Sequence, residues 1–393
     1  MKPTVLLISE LTPFPTHGGE RLHLFNLIES LSNLFNTVVI ADNVTTTHKG
    51  VLPNVAAWID LPRYDTFLRA KLTNYRAIWR LRAAWGDCLE AAVRQFQPDV
   101  AWFVYGHWGQ YVPLMRRYGV KTLMGTQNVQ SELTRQRATR TPFGLLKLFT
   151  WGRSSAEKWH EQTLFARFDR VVSVSEADRR YHAQFVADGC SVLLPNYINT
   201  ARYQLTEPVE RDTQRLVMSG SFDNFQNRES LKWFLETVWP LILTECPQAE
   251  LHLAGKGSDT LPAQLDKTRK LVCYGRVPSV APYLCSATVA IVPLLYGSGT
   301  RLKILEAWAC ETPIVSTALG AAGLYDATEQ TMLVADSAAH FAEAVVKLLR
   351  DATLRMTLAT NGLSTLRARH SSSANTCRID KLVSGLLEND NST

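Results

Sequence analysis

Short, nearly uninterrupted runs of Val, Ile and Leu recur along the chain, and segments of helical period lie between several of them. The first run is Val5-Leu6-Leu7-Ile8, followed by a turn-rich loop with Pro13, Pro15, Gly18 and Gly19. Leu22, Phe25, Leu27, Ile28 and Leu31 then recur at the spacing of one helix face, and Thr37-Val38-Val39-Ile40-Ala41 is the next strand. Strand, loop, helix, strand is the opening of a parallel α/β sheet. Buried-strand patterns continue at residues 100–104, 121–124, 171–174 and 192–194.

A second series begins with Leu216-Val217-Met218. The spacing predicts a helix over 230–243 and strands at 250–254, 271–274, 289–293 and 314–316. Residues 196–214 are polar and weakly periodic, so the boundary between two domains belongs there. The expected division is 1–200, 211–370 and a C-terminal helix over 371–388 that packs back towards the first domain. Both domains read as doubly wound, Rossmann-like α/β units facing a cleft, with ligands beyond the carboxyl ends of the strands.

Charge is unevenly spread. Residues 63–153 carry fifteen Lys and Arg against five Asp and Glu, so that stretch is suited to an anionic partner. The seven cysteines are scattered, without CxxC or Cys/His metal spacing, and fit a reducing, cytoplasmic compartment. The N-terminal apolar run is too short for a signal peptide, and no run approaches the ~20 residues that span a bilayer.

Two loops have the composition of ligand sites. His17-Gly18-Gly19-Glu20-Arg21 lies between the first strand and first helix, where paired glycines allow close backbone approach and the helix start offers N–H groups to an anion. A plain tight turn accounts for this pair equally well, and neither GxGxxG nor GxxxxGK[ST] is present. Gly297-Ser298-Gly299-Thr300-Arg301-Leu302-Lys303-Ile304-Leu305-Glu306-Ala307 is more informative: a glycine-rich turn opens a helix with Arg301 and Lys303 in its first turn. Cations there oppose the helix dipole unless an anion sits between them and it. Lys303 and Glu306 share a face, so one is suited to phosphate and the other to sugar hydroxyls; an exposed ion pair on an ordinary helix is the plainer alternative.

With these motifs the chain resembles the family 4 (group 1) retaining glycosyltransferases of GT-B fold. The likeness runs through Pro13-Phe14-Pro15, Val172 to Asp178, Leu194-Pro195-Asn196, Gly220-Ser221, Ala254 to Gly257, Tyr274 to Val277, Pro293 to Glu306, Pro313 to Thr317 and Gly320 to Leu324. It implies transfer of a sugar from a nucleotide diphosphate sugar to a glycan, lipid-linked or small-molecule acceptor, with retention at the anomeric carbon. It also implies that Arg301 and Lys303 neutralise the diphosphate. Gly18 and Gly19 meet phosphate by backbone, Gly275 and Val277 lie near the base, and Glu306 grips the ribose. Gly299 and Thr300 complete the donor loop, while Arg228 is the remaining charge of a basic pair that relatives keep near Ser221 and Asn227-Arg228. Ser298 stands where the family keeps its first glutamate, the usual contact to the donor sugar.

His107, in Tyr105-Gly106-His107-Trp108, falls where relatives place a cleft histidine; hydrogen bonding to the transferred sugar and simple loop packing both remain open. Gln127 and Asn128, after another strand end, are candidates for acceptor recognition. No DxD occurs, so neither a metal nor another cofactor is expected.

In the basic stretch, Leu68, Leu72, Tyr75 and Trp79 share a helical face beside Arg69, Lys71, Arg76, Arg80 and Arg82. Arg135 to Arg153 form a second cluster with Phe143, Leu145, Leu146, Leu148, Phe149 and Trp151. Both suit peripheral docking at an anionic membrane surface; an amphipathic helix plus a basic loop is the alternative. No nucleic-acid motif accompanies the charge. A nucleotide-sugar epimerase of the same fold and an inactive nucleotide-sugar-binding protein are the rival functions.

Overall fold

The computed structural model describes residues 2–16, 18–62, 75–106, 108–140, 144–207, 209–261, 270–297, 300–324 and 326–388. The chain divides into two compact units. The first comprises Met1–Thr16, Glu20–Leu194 and Thr376–Thr393, the second His17–Gly19 and Pro195–Asn375. The C-terminal helix Ser372–Glu388 thus lies mainly in the first unit.

The first unit holds a seven-stranded, wholly parallel sheet. Its strands are β1 (Thr4–Ser9), β2 (Asn36–Ala41), β3 (Ala57–Asp60), β4 (Val100–Val104), β5 (Lys121–Thr126), β6 (Arg170–Ser173) and β7 (Ser191–Leu193), in the order β3-β2-β1-β4-β5-β6-β7. The apolar runs are its centre: every residue of β4 is buried, and Leu6 and Ile8 pack with Val38, Ile40 and Phe103 on one face. Parallel strands covered on both faces have no polar side to alternate with, which is why they read as continuous Val/Ile/Leu.

The second unit contains β8 (Arg215–Ser219), β9 (Glu250–Ala254), β10 (Leu271–Cys273), β11 (Val289–Val292), β12 (Ile314–Ser316) and β13 (Leu333–Val334), also all parallel, in the order β10-β9-β8-β11-β12-β13. Both sheets reverse strand order once, between β1 and β4 and between β8 and β11. In doubly wound sheets a ligand crevice opens at that switch point, beyond the carboxyl ends.

Three expectations are corrected. The helix expected over 230–243 starts earlier, as Phe225–Trp233, and passes through a wide turn, Phe234–Val238, before Trp239–Glu245. Pro240 has no N–H to continue the regular ladder, and Trp239 donates to Phe234 instead. The alternative of a basic loop over 135–153 does not hold for the described residues, which, apart from Gly144, belong to two packed helices, Gln130–Arg140 and Leu145–Leu164. Arg301 is the cap of its helix, not part of the first turn.

Candidate functional site

The second switch point is lined by backbone on one side and cations on the other. Strands β8, β9 and β10, adjacent in the sheet, run into Gly220, Gly255 and Gly275, at φ +140°, +143° and +65°. The ladder continues through them: Gly220 N–H donates to Ala254 at 3.0 Å and Gly255 N–H to Gly275 at 2.9 Å. A Cβ on Gly255 would lie 1.9 Å from the Gly220 carbonyl oxygen, so only glycine lets these ends approach so closely.

Above Gly220 sits Lys303. Its Nζ would be 3.1 Å from a Cβ placed on Gly220, and it donates to Asn227 Oδ1 at 3.1 Å. Asn227, buried on the helix Phe225–Trp233, is in turn fixed by donating to the Ser221 carbonyl at 2.7 Å. Lys303 belongs to the helix Leu302–Ala309, which buries Leu302, Ile304, Leu305, Ala307 and Trp308. That packing leaves Lys303 and Glu306, three apart, on the half-buried face. Burial first, and the Arg301 guanidinium second, lower the Lys303 ammonium to about 8 against the opposing pull of Glu306.

Glu306 accepts from Tyr203 Oη at 3.0 Å. Burial raises the Glu306 carboxyl above its ordinary value, while the Tyr203 hydrogen bond and Lys303 hold it down. Tyr203 is pushed well above its own range by burial and by Glu306, so it stays a donor. The remaining loop is tied at Thr300, whose Oγ1 accepts from Asn196 Nδ2 at 2.5 Å; the Asn196 carbonyl is bonded to His370 Nδ1 at 2.9 Å. Arg301 folds back on the loop, its Nη2 2.2 Å from where a Gly297 Cβ would stand.

The structure therefore gathers Arg301, Lys303, Glu306 and Thr300 around one loop, with Gly275 on the flanking row and Val277 buried beyond it. Arg228 is exposed on its helix, and the neighbouring Asn227 is the residue that meets Lys303. Gly299 and Ser298 lie outside the described residues, as do His17 and His107. Sequence reasoning missed Asn227 because it is uncharged. It missed Tyr203 because the residue sits in the polar stretch between domains; a lone aromatic there was the available signal. Among the described residues no group of three or more His, Cys, Asp or Glu is placed to hold a metal.

Comparison with known proteins decides the family. Residues 18–196 match the model of a glycosyl transferase 4-like domain, and residues 213–351 match glycosyl transferases group 1. The chain belongs to the group 1 glycosyltransferases.

Solved structures agree on the fold. This glycosyltransferase superposes on sucrose-phosphate synthase from Thermosynechococcus elongatus with a TM-score of 0.74 at 18% identity, covering 98% of this chain and 100% of that one. A glycosyltransferase from Rickettsia africae gives 0.71 at 14% identity, with 99% of each chain covered. Anabaena HepE, in complex with UDP-glucose, gives 0.68 at 10% identity over 97% of this chain and 99% of that one. These neighbours identify the architecture as GT-B. Among curated proteins, a 44.6 kDa protein in the cps region of Klebsiella pneumoniae is 20% identical over 236 residues, or 58% of this chain; the match spans 59% of the relative's length.

Gly18 and Gly19 are grouped with the second unit; Gly18 has φ +94° and open space where a side chain would be, and Gly19 opens the helix Gly19–Leu34. Gln127 and Asn128 follow β5 directly and are half-buried.

Proposed function

We propose that this chain transfers a sugar from a nucleotide diphosphate sugar to an acceptor hydroxyl, with the second unit holding the donor. The observation that carries this reading is Lys303, an ammonium lowered to about 8 by burial and by Arg301, placed over glycine backbone at the start of a helix. Two cations and a helix N-terminus on one spot repel each other, and a diphosphate resolves that conflict. UDP and UDP-glucose in the HepE complexes support a nucleotide sugar as the donor class.

The chemistry follows from charge. As the bond from the anomeric carbon to the diphosphate breaks, negative charge grows on the leaving oxygen, where Arg301 and Lys303 act. The acceptor oxygen forms the new bond, and the departing phosphate oxygen takes its proton. Attack on the face that the diphosphate leaves retains the anomeric configuration. Glu306, with one oxygen on Tyr203, is suited to accept from ribose hydroxyls through the other.

A panel of nucleotide sugars, UDP-glucose first, tests the reading by thermal unfolding. A true donor at a hundred times its dissociation constant adds about 2.7 kcal/mol to stability. With that donor, Arg301→Ala lowers turnover by about 10²–10³-fold, the loss typical of one preorganised donor group. Arg301→Lys recovers part of it, since an ammonium lacks the guanidinium fork. A panel in which no nucleotide sugar stabilises the fold, or a folded Arg301→Ala protein with undiminished turnover, refutes the assignment.

A further inference from the structure

The helix Leu145–Leu164 in the first unit is built inside out. Its packed side is polar: Thr150, Ser154, Glu157 and Glu161, spaced by four, three and four residues, are all buried. Thr150 donates to the Leu146 carbonyl of its own helix, and the other three find partners on the helix Gln130–Arg140. Ser131 Oγ donates to Glu161 Oε2 at 2.5 Å, and Tyr181 Oη donates to the same oxygen at 3.0 Å. Thr134 donates to Glu157, which also accepts from Arg153 Nε at 2.8 Å. Ser154 Oγ donates to the Ser131 carbonyl at 2.9 Å. Burial raises the Glu161 carboxyl, and the bonds from Ser131 and Tyr181 hold it down.

The outward side is mainly apolar; its hydroxyls, Ser155 and Thr163, donate to carbonyls of the same helix, those of Trp151 and Trp159. Leu148 (63% exposed), Phe149 (65%), Trp151 (40%) and Trp159 (64%) form an arc centred opposite the buried glutamates; Leu146 (66%) is exposed too, but lies off the arc, in line with Thr150 at the N-terminal end. Five of the eleven exposed large hydrophobic side chains among the described residues belong to this one helix, so the patch is a local concentration, not scattered surface. Helices that face water carry the reverse pattern. The arc is edged by Lys158 and half-exposed Lys147 on one flank and by exposed Arg153 on the other.

We propose that this face of the helix Leu145–Leu164 lies on the surface of an anionic lipid bilayer. Leu148, Phe149, Trp151 and Trp159 enter the headgroup boundary, and Lys147, Arg153 and Lys158 meet the lipid phosphates. Indole and phenyl rings between an apolar body and charged flanks fit that boundary. Charge selects lipid over a neutral protein partner: the cations of this helix, Lys147, Arg153 and Lys158, lie wholly or partly at the surface, while both of its carboxylates, Glu157 and Glu161, are buried. Among the described residues no helix is long and apolar enough to cross a membrane, so the contact is peripheral. It is independent of the sugar-transfer reading, which rests on the second unit.

Sedimentation of the full chain with phosphatidylcholine vesicles, with and without phosphatidylglycerol, tests the proposal. Wild type binds the anionic vesicles, and its tryptophan emission shifts to the blue. Leu148→Ser with Phe149→Ser lowers the partition coefficient about 100-fold, because two large apolar side chains no longer leave water. Lys147→Gln with Lys158→Gln lowers it about 30-fold on anionic vesicles only. All four side chains lie wholly or partly at the surface, and circular dichroism verifies that the variants stay folded. The proposal falls if wild type ignores anionic vesicles, or if the Leu148/Phe149 variant binds as well as wild type. It falls too if sedimentation equilibrium shows a dimer that this variant dissolves, since the face then joins two copies of the chain.

Discussion

The two sheets share a plan and differ in what stands at the switch point. Beyond β1 and β4 in the first unit, Gly106 has φ +133°, and a Cβ there would lie 2.3 Å from Glu10 Oε1. Beyond β8 and β11 in the second, Gly220 has φ +140° and faces Lys303 Nζ and Asn227 Nδ2. One crevice holds a carboxylate over glycine, the other an ammonium over glycine. Parallel-sheet topology sets where a crevice opens; the loops after the strands set its charge, and with it the ligand each can accept. An ammonium over glycine backbone suits an anion such as the diphosphate proposed above.

The crevices also differ in rigidity, which yields the largest expected effect. At Gly255, beside Gly220, an added Cβ meets the Gly220 carbonyl oxygen at 1.9 Å, and backbone must move. At Gly106 the nearest atom is the end of the flexible Glu10 side chain, with the buried Trp108 Nε1 next at 2.9 Å, so side chains rather than backbone must give way. Both positions have positive φ, so any side chain is strained there. Gly255→Ala is expected to destabilise the protein by about 3 kcal/mol or more, Gly106→Ala by roughly 1–2 kcal/mol. Denaturant unfolding measures both; equal costs would mean that the glycine row of the second crevice is no more rigid than the first.

A smaller effect is expected at Glu306, the carboxylate within the cationic crevice. Glu306→Gln keeps the size of the side chain and removes its charge. Hydrogen bonds to a charged group contribute about 1.5–3 kcal/mol, so donor affinity falls roughly 10–150-fold while the fold persists. Calorimetric titration of the donor decides this, and unchanged affinity in a folded variant would remove Glu306 from the donor site.

Much of the plan is legible in the sequence where burial is complete. The centre of each sheet is written in Val, Ile and Leu, but β3, Ala57-Trp58-Ile59-Asp60, escapes because it is a half-exposed edge strand. β13 is only two residues long and carries no period. The loop at 297–306 was legible because glycines and cations at a helix start conflict locally. Its supports were not: Asn227 and Tyr203 lie 76 and 103 residues from their partners and are joined to them only by the fold. The helix Leu145–Leu164 teaches the same lesson. Periodicity separates its two faces but does not say which one packs, and that is decided by Ser131 and Thr134 on another helix.

The smallest expected effect is a pH dependence, and it isolates Lys303 from the other cations. Its ammonium is held at about 8 against an ordinary 10.5, because burial and Arg301 disfavour the charged form. Between those values the unfolded chain binds more protons than the folded one, so this group's contribution to stability rises with pH from about 8 to 10.5. Donor binding runs the opposite way. A diphosphate favours the charged lysine, so binding above pH 8 must first take up a proton, and affinity falls by up to about tenfold per pH unit there. Below pH 8 the lysine is already charged and affinity levels off. Arginine at Arg301 does not titrate in this range. Lys303→Met should therefore weaken binding at neutral pH and flatten the decline above 8, whereas Arg301→Ala should weaken binding and keep the decline. Calorimetry in buffers of different ionisation enthalpy counts the protons taken up. A wild-type protein that takes up none at pH 9, or a Lys303→Met variant that still does, would show that another group carries the charge facing the donor.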